Sequence, residues 1–111
     1  MKRIDAIIKQ PCLENVKNRL AGIGVEGMIA AEVVGMGREK GREFYRGAEY
    51  VVDFLPKISL MILAEDDRVS VIIDAIIAGV RTGKIGAGKI FVTPIEEVVS
   101  IRTGAWNHAA V

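Results

Sequence analysis

One cysteine, Cys12, stands in 111 residues. A lone thiol builds neither a disulfide framework nor a cysteine metal site, and it makes a reducing, cytoplasmic setting the expected one. Charge of either sign is not in excess. Fifteen Lys and Arg against 14 Asp and Glu leave a net +1, too little to recruit nucleic acid by bulk electrostatics. Long hydrophobic runs are missing as well. The opening stretch MKRIDAIIKQP interrupts its apolar residues with Asp5, Lys9 and Gln10, unlike a signal peptide, and no run is long enough to span a membrane. The single histidine, His108, lies near the chain end and is assigned nothing. No Ser-His-Asp or Cys-His set can be assembled, and no carboxylate pair calls for acid–base chemistry, so an enzyme is not expected. Repeats, linkers and low-complexity segments are also missing.

What is present suffices for one domain spanning 1–111. Half of the residues are hydrophobic, enough for a core, although a chain of this size leaves much surface exposed and self-association is a natural remedy. In KRIDAIIK (2–9), Ile4, Ala6 and Ile8 share one face by period two, which predicts a strand, with Ile7 on the other face. Pro11 suits the first turn of a helix. Leu13, Val16, Leu20 and Ile23 continue it at helical spacing, and Gly22 or Gly24 ends it. MIAAEVVGM (28–36) is predicted as a second strand and KISLMILA (57–64) as a third. Asp66 and Asp67 are placed to cap a second helix, with Val69, Ile72, Ile73, Ile76 and Val80 on its apolar face. IFVTPI follows as a fourth strand, and EEVVSIRTG as a short fifth. The order β-α-β, long loop, β-α-β predicts an α+β, ferredoxin-like double βαβ sandwich with both helices on one face of an antiparallel sheet. The other face is expected to be apolar, which favours a symmetric oligomer.

Two loops carry the chemistry. From Gly37 to Pro56 the chain holds three glycines and eight charged residues, with Tyr45 and Tyr50 among them. About 20 residues of loop in a compact domain point to function, here a mobile binding arm too long and charged for a tight hairpin turn. Gly83 to Lys89, GKIGAGK, fits the phosphate-loop spacing G-x-x-x-x-G-K. Ile90 follows where the magnesium-binding hydroxyl would be, and the loop runs helix to strand rather than strand to helix, so a P-loop ATPase is rejected. Three glycines with Lys84 and Lys89 still suit an anion. An ordinary turn with solvated lysines has the same composition. Arg38, Lys40 and Arg102 are further cations that could meet phosphates or simply be solvated. Exposed Tyr50 is a candidate modification or contact residue, although half-buried tyrosines are common.

KRIDAIIK, GMGREKG, YRGAEYVVDFLPK, RTGKIGAGKIFV and IRTG, in this order, resemble the PII nitrogen-regulatory signal-transduction proteins essentially end to end. The resemblance implies a cytoplasmic homotrimer in which residues 37–55 are the T-loop, 82–89 the phosphate-binding loop and 100–111 a C-terminal segment. It implies ATP or ADP in clefts between subunits, on Gly37, Arg38, Gly86, Ala87, Gly88 and Lys89, with Arg102 from the neighbouring subunit. It implies 2-oxoglutarate with Mg-ATP near the loop base, on Glu39, Lys40, Gly41 and Lys57, with Glu39 at the magnesium position. Arg46, with Tyr45 beside it, is the implied partner contact, and Tyr50 corresponds to a tyrosine uridylylated in some bacteria. The implied targets are an ammonium transporter, which would bring the protein to the membrane, or a nitrogen-assimilation enzyme. Nucleic acid is not among them.

Several positions depart from that pattern. Glu39 stands where the family usually has glutamine, placing a negative charge beside a dicarboxylate and a triphosphate. Ile29 replaces a threonine that bonds the adenine, Ala87 an aspartate, and Ser100 the first arginine of R-x-R-T-G. The T-loop is one residue shorter than usual. These departures favour, as the second reading, a specialised paralogue that senses ADP, AMP or another small anion without a 2-oxoglutarate response.

Overall fold

The computed structural model describes residues 1–36, 54–81 and 88–111, and the backbone of 41–45 and 48–52. The elements are β1 (Lys2–Ile8), α1 (Leu13–Gly22), β2 (Ile29–Gly35), β3 (Gly41–Tyr45), β4 (Ala48–Val52), β5 (Leu55–Ala64), α2 (Val69–Val80) and β6 (Gly88–Pro94). Short 3₁₀ turns lead into both helices, at Gln10–Cys12 and Asp66–Arg68. The main sheet has the order β2-β5-β1-β6, with every neighbouring pair antiparallel. This is the ferredoxin-like arrangement: each βαβ unit is split by a strand of the other.

Period two decides which side of the sheet is dry. Ile4, Ala6 and Ile8 of β1 and Ile58, Leu60, Ile62 and Ala64 of β5 are buried under the helices. Val16 and Leu20 of α1 and Ile72, Ile76 and Val80 of α2 close the core from above. Ile73 is only half-buried. The helices approach closely at Gly79, where a Cβ would lie 2.8 Å from Val16 Cγ2 and 3.0 Å from its Cα. Asn15 Nδ2 donates to the Gly79 carbonyl at 3.1 Å across the same contact.

Four expectations are corrected. The stretch after β2 is not wholly loop: β3 and β4 pair antiparallel as a two-stranded ribbon from Gly41↔Val52 to Tyr45↔Ala48. Only residues 46 and 47 separate those strands. Phe44, Tyr45, Tyr50, Val51 and Val52 are strand-forming residues, and their pairing overrides the local charge. Second, the fifth strand is a single bridge, Val99↔Trp106, because the segment turns back on itself instead of reaching a sheet edge. Third, the uncovered sheet face is mixed. Ile7, Met61, Leu63 and Phe91 share it with Arg3, Asp5, Ser59 and Lys89, and Arg3 Nε donates to Asp5 Oδ2 at 3.0 Å.

The fourth correction concerns Asp66 and Asp67. Neither caps α2, whose N-cap is Arg68 with no side-chain cap bond. They sit in the 3₁₀ turn before it, where they still complement the helix dipole. Asp66 is taken by the Met1 α-ammonium at 2.7 Å and Lys2 Nζ at 3.6 Å. The hydrogen bond from that ammonium holds the Asp66 carboxyl below its ordinary 3.8, with Lys2 adding to it. A lowered folded-state pKa stabilises the fold above 3.8 and ceases to do so as pH falls through the lowered value. Asp66→Asn is therefore expected to lower the urea midpoint slightly at neutral pH and to converge with wild type on acidification below 3.8. A difference that persists in acid would remove the ion pair as its cause.

Candidate ligand-binding site

One end of the sheet gathers four of the residues singled out by sequence or lying beside them. Gly35 closes β2 and Lys57 lies on the neighbouring strand β5, its Cγ 3.7 Å from where a Gly35 Cβ would be. Lys57 is half-buried and pairs in register with Val33. Gly88 opens β6 opposite Ile8, and Lys89 follows opposite Ile7 with its side chain exposed. Gly88 has φ +135°, and a Cβ there would fall 2.1 Å from the Ile7 carbonyl oxygen. Only a residue without a side chain lets the strand begin this close to β1. Such a cradle suits a backbone that must also come near an anion, with Lys89 supplying charge.

Gly37, Arg38, Glu39, Lys40, Arg46, Gly86 and Ala87 lie outside the described residues. So do Lys84 and the rest of 82–87. The chain enters 37–40 one residue after β2 and leaves 82–87 at the start of β6, so both segments attach at this same end. Gly41, Tyr45 and Tyr50 are described by backbone only: Gly41 opens β3, Tyr50 pairs with Glu43, and Tyr45 sits at the last pair before residue 46.

Arg102 is rooted elsewhere. The Ile95 amide donates to the Met1 carbonyl at 3.1 Å, and the segment beyond it closes on itself between Val98 and Asn107. Asn107 N donates to the Val98 carbonyl at 2.7 Å, and Val98 N donates to Asn107 Oδ1 at 3.1 Å. Within this closed turn Ser100 has a local part. Its amide donates to Ala105 O and its carbonyl accepts from Gly104 N, both at 2.8 Å. Its hydroxyl accepts from the Thr103 amide at 3.4 Å. Ser100 thus shapes the turn from which exposed Arg102 projects.

Beside that root lies a groove of about 670 Å³. Ile29, Met61, Leu63 and Ile72 make its apolar wall, and Glu26, Glu65 and Arg68 its polar rim. Arg68 is anchored there by a bond from its guanidinium to the Ile23 carbonyl. Sequence reasoning marked Ile29 and missed the rest, because Met61, Leu63 and Ile72 read as ordinary strand and helix residues. Their common wall exists only after β2, β5 and α2 come together. Among the described residues no group of three or more His, Cys, Asp or Glu side chains could hold a metal ion, and no helix is long and apolar enough to cross a membrane.

Residues 1–105 match the family described as nitrogen regulatory protein P-II. This chain belongs to the P-II nitrogen regulatory family. Among curated relatives, nitrogen regulatory protein P-II 1 of Escherichia coli is 53% identical over 112 aligned positions, covering all of both chains. The P-II protein of Klebsiella oxytoca shows the same identity and coverage. That of Microchaete diplosiphon is 51% identical, again over the whole of both. The family name describes regulators of nitrogen metabolism and names no catalysed reaction. The match carries a split βαβ fold and a regulatory role together, and it covers both ends of the sheet.

Proposed function

We propose that this P-II protein is a homotrimeric signal transducer that binds ATP or ADP between subunits and controls its target through residues 37–55. The observation that carries this reading is the division of the candidate site. Gly35, Lys57, Gly88 and Lys89 meet at one end of the sheet, whereas Arg102 and the Ile29 groove are rooted near Met1 and Glu65. A head-to-tail ring joins one such end of each copy to the other end of the next, and closure of that ring gives a cyclic oligomer. The exposed apolar residues Ile29 and Phe91 on the mixed sheet face, at 59% and 53% exposure, would find cover in it. In this reading Gly88, Lys89 and the adjoining Gly37, Arg38, Gly86 and Ala87 hold the phosphates, with Arg102 from the neighbour. The groove at Ile29 takes the adenine. The nucleotide supplies its γ-phosphate as the signal. The chain supplies the cations that distinguish three phosphates from two, and a loop that moves only by as much as the ligand prefers one of its conformations.

Residues Glu39, Lys40, Gly41 and Lys57 form the corresponding 2-oxoglutarate site, with Mg²⁺ at Glu39. The extra carboxylate opposes a dicarboxylate there, although it is a hard oxygen ligand suited to magnesium. The target is an ammonium transporter or a nitrogen-assimilation enzyme, met by Arg46 and Tyr45, with Tyr50 as the modification site. The test is calorimetric titration with ATP, ADP and AMP, each with and without magnesium and 2-oxoglutarate, on protein whose mass in solution has been measured. A trimer that binds nucleotides supports the proposal; a monomer, or no nucleotide binding, defeats it. Glu39→Gln is expected to raise 2-oxoglutarate affinity, and unchanged affinity would remove the charge argument. Nucleotide binding with no 2-oxoglutarate response in either form would establish the second reading, an adenine-nucleotide or anion sensor on the same scaffold.

A further inference from the structure

Arg68 is the only cationic side chain among those lining the groove, and it is held at both ends. Its guanidinium donates to the Ile23 carbonyl from across the fold. Its amide donates to the Glu65 carbonyl at 2.9 Å, closing the turn before α2. The loop that supplies Ile23 is tied down as well: Gly24 N donates to Ala21 O at 3.1 Å, and Val25 N to Leu20 O at 3.0 Å. A guanidinium carries more N–H donors than one carbonyl can take. Among the described residues the Ile23 carbonyl is its only partner, so donors remain for a ligand. Glu26, on the same loop as Ile23, also lines the groove and has no partner among the described residues. Glu65 is on the rim too, but its Oε1 lies 2.8 Å from His108 Nδ1. We propose that Arg68 and Glu26 read the edge of the base in this groove, and that the groove therefore takes guanine nucleotides as well as adenine ones.

The chemistry follows from the donor set. The apolar wall at Ile29 and Met61 covers the face of a flat ring and gives its edge no hydrogen bond. Side-chain reading of the edge falls to the rim, where a fork of donors stands with a carboxylate that only accepts. Guanine has two adjacent acceptors, O6 and N7, which a guanidinium meets with paired bonds. Its N1–H and amino group are adjacent donors, matched to the two oxygens of a carboxylate. Adenine alternates. Its N7 accepts beside an amino group that donates, so a guanidinium makes one bond where guanine allows two. Both purines fit the wall, and guanine gains more from the rim. This proposal rests on the nucleotide reading above and goes beyond it, because ATP and GTP carry the same phosphates and differ only in the base.

Calorimetry with Mg-ATP and Mg-GTP on the intact protein tests it. GTP is expected to bind within about tenfold of ATP and to compete with it for one site. Arg68→Met should lower GTP affinity about tenfold more than ATP affinity, and Glu26→Gln should act in the same direction. A merely structural role for Arg68, as tether of the loop after α1, would weaken both nucleotides equally and leave their ratio unchanged. Arg68→Lys keeps a donor for the Ile23 carbonyl but lacks the fork. It takes the place of Arg68→Met should that variant not fold, with the same shift in ratio expected. Three results overturn the proposal and leave the adenine reading standing: GTP binding weaker than ATP by more than about tenfold, binding of both nucleotides at once, or a wild-type ratio in either variant. If neither ATP nor GTP binds, the nucleotide reading falls and this proposal falls with it.

Discussion

Lys89→Ala is expected to weaken ATP binding by roughly tenfold to a hundredfold while leaving the fold as stable as before. The magnitude is that of one charge-assisted hydrogen bond to a phosphate, about 1.5–3 kcal/mol. The selectivity comes from where the lysine sits. Its side chain is exposed at the start of β6, and the core residues of that level, Ala6, Ile8 and Leu60, face the helices. Truncation therefore removes a cation and leaves no cavity. Calorimetry with ATP and with adenosine separates this from general damage to the site. Adenosine carries no phosphate, so its affinity should not change, and Lys89→Arg should recover part of the ATP affinity. Equal losses for ATP and adenosine would mean that Lys89 supports the site's shape and not the phosphates.

Gly88→Ala is expected to destabilise the fold by about 2–5 kcal/mol, combining backbone strain with overpacking. The added methyl would meet the Ile7 carbonyl oxygen at 2.1 Å, and φ +135° is a conformation that side chains rarely adopt. Neither obstacle can be relieved by rotating a side chain, since the clash is with backbone. The start of β6 must instead shift away from β1, breaking the pairing Ile8↔Gly88 and disturbing Ile7↔Lys89. For a domain of this size the loss is a large share of total stability and lowers Tm by about 10 °C or more. Thermal unfolding followed by circular dichroism measures it. A variant with wild-type Tm would show that the approach of the two strands is not required. Phosphate binding should weaken too, because the shift carries Lys89 with it. Lys89→Ala and Gly88→Ala thus make a contrasting pair: loss of binding without loss of stability, and loss of both together.

Much of the fold was legible because its signals are periodic and local. Ile4-Ala6-Ile8 alternate with a period of two, and Val16-Leu20 and Ile72-Ile76-Val80 recur at helical spacing; these residues form the buried core. The β3–β4 ribbon was misread, since eight charges in twenty residues masked the strand-forming Phe44, Tyr45, Tyr50, Val51 and Val52. Asp66 illustrates a different limit. Its position before a helix is that of a cap, but a carboxylate with an ammonium within reach takes the ammonium, and Met1 is near it only after β1 has paired with β5. Ser100 is similar: as a sequence departure it is only a missing arginine, whereas in the folded turn it bonds Thr103, Gly104 and Ala105.

By itself the sequence determined the split βαβ order, the dry face of the sheet and, through long specific motifs, membership of the P-II family. Those depend on local periodicity and on runs of neighbouring residues, which the chain carries in one dimension. Tertiary structure alone decided that Gly88 must be a glycine against Ile7, that Lys57 lies along Gly35, that Arg102 is rooted away from Lys89, and that His108 meets Glu65. Each is a contact between residues far apart in the chain. Its chemistry depends on distances of a few ångströms that no spacing along the sequence encodes.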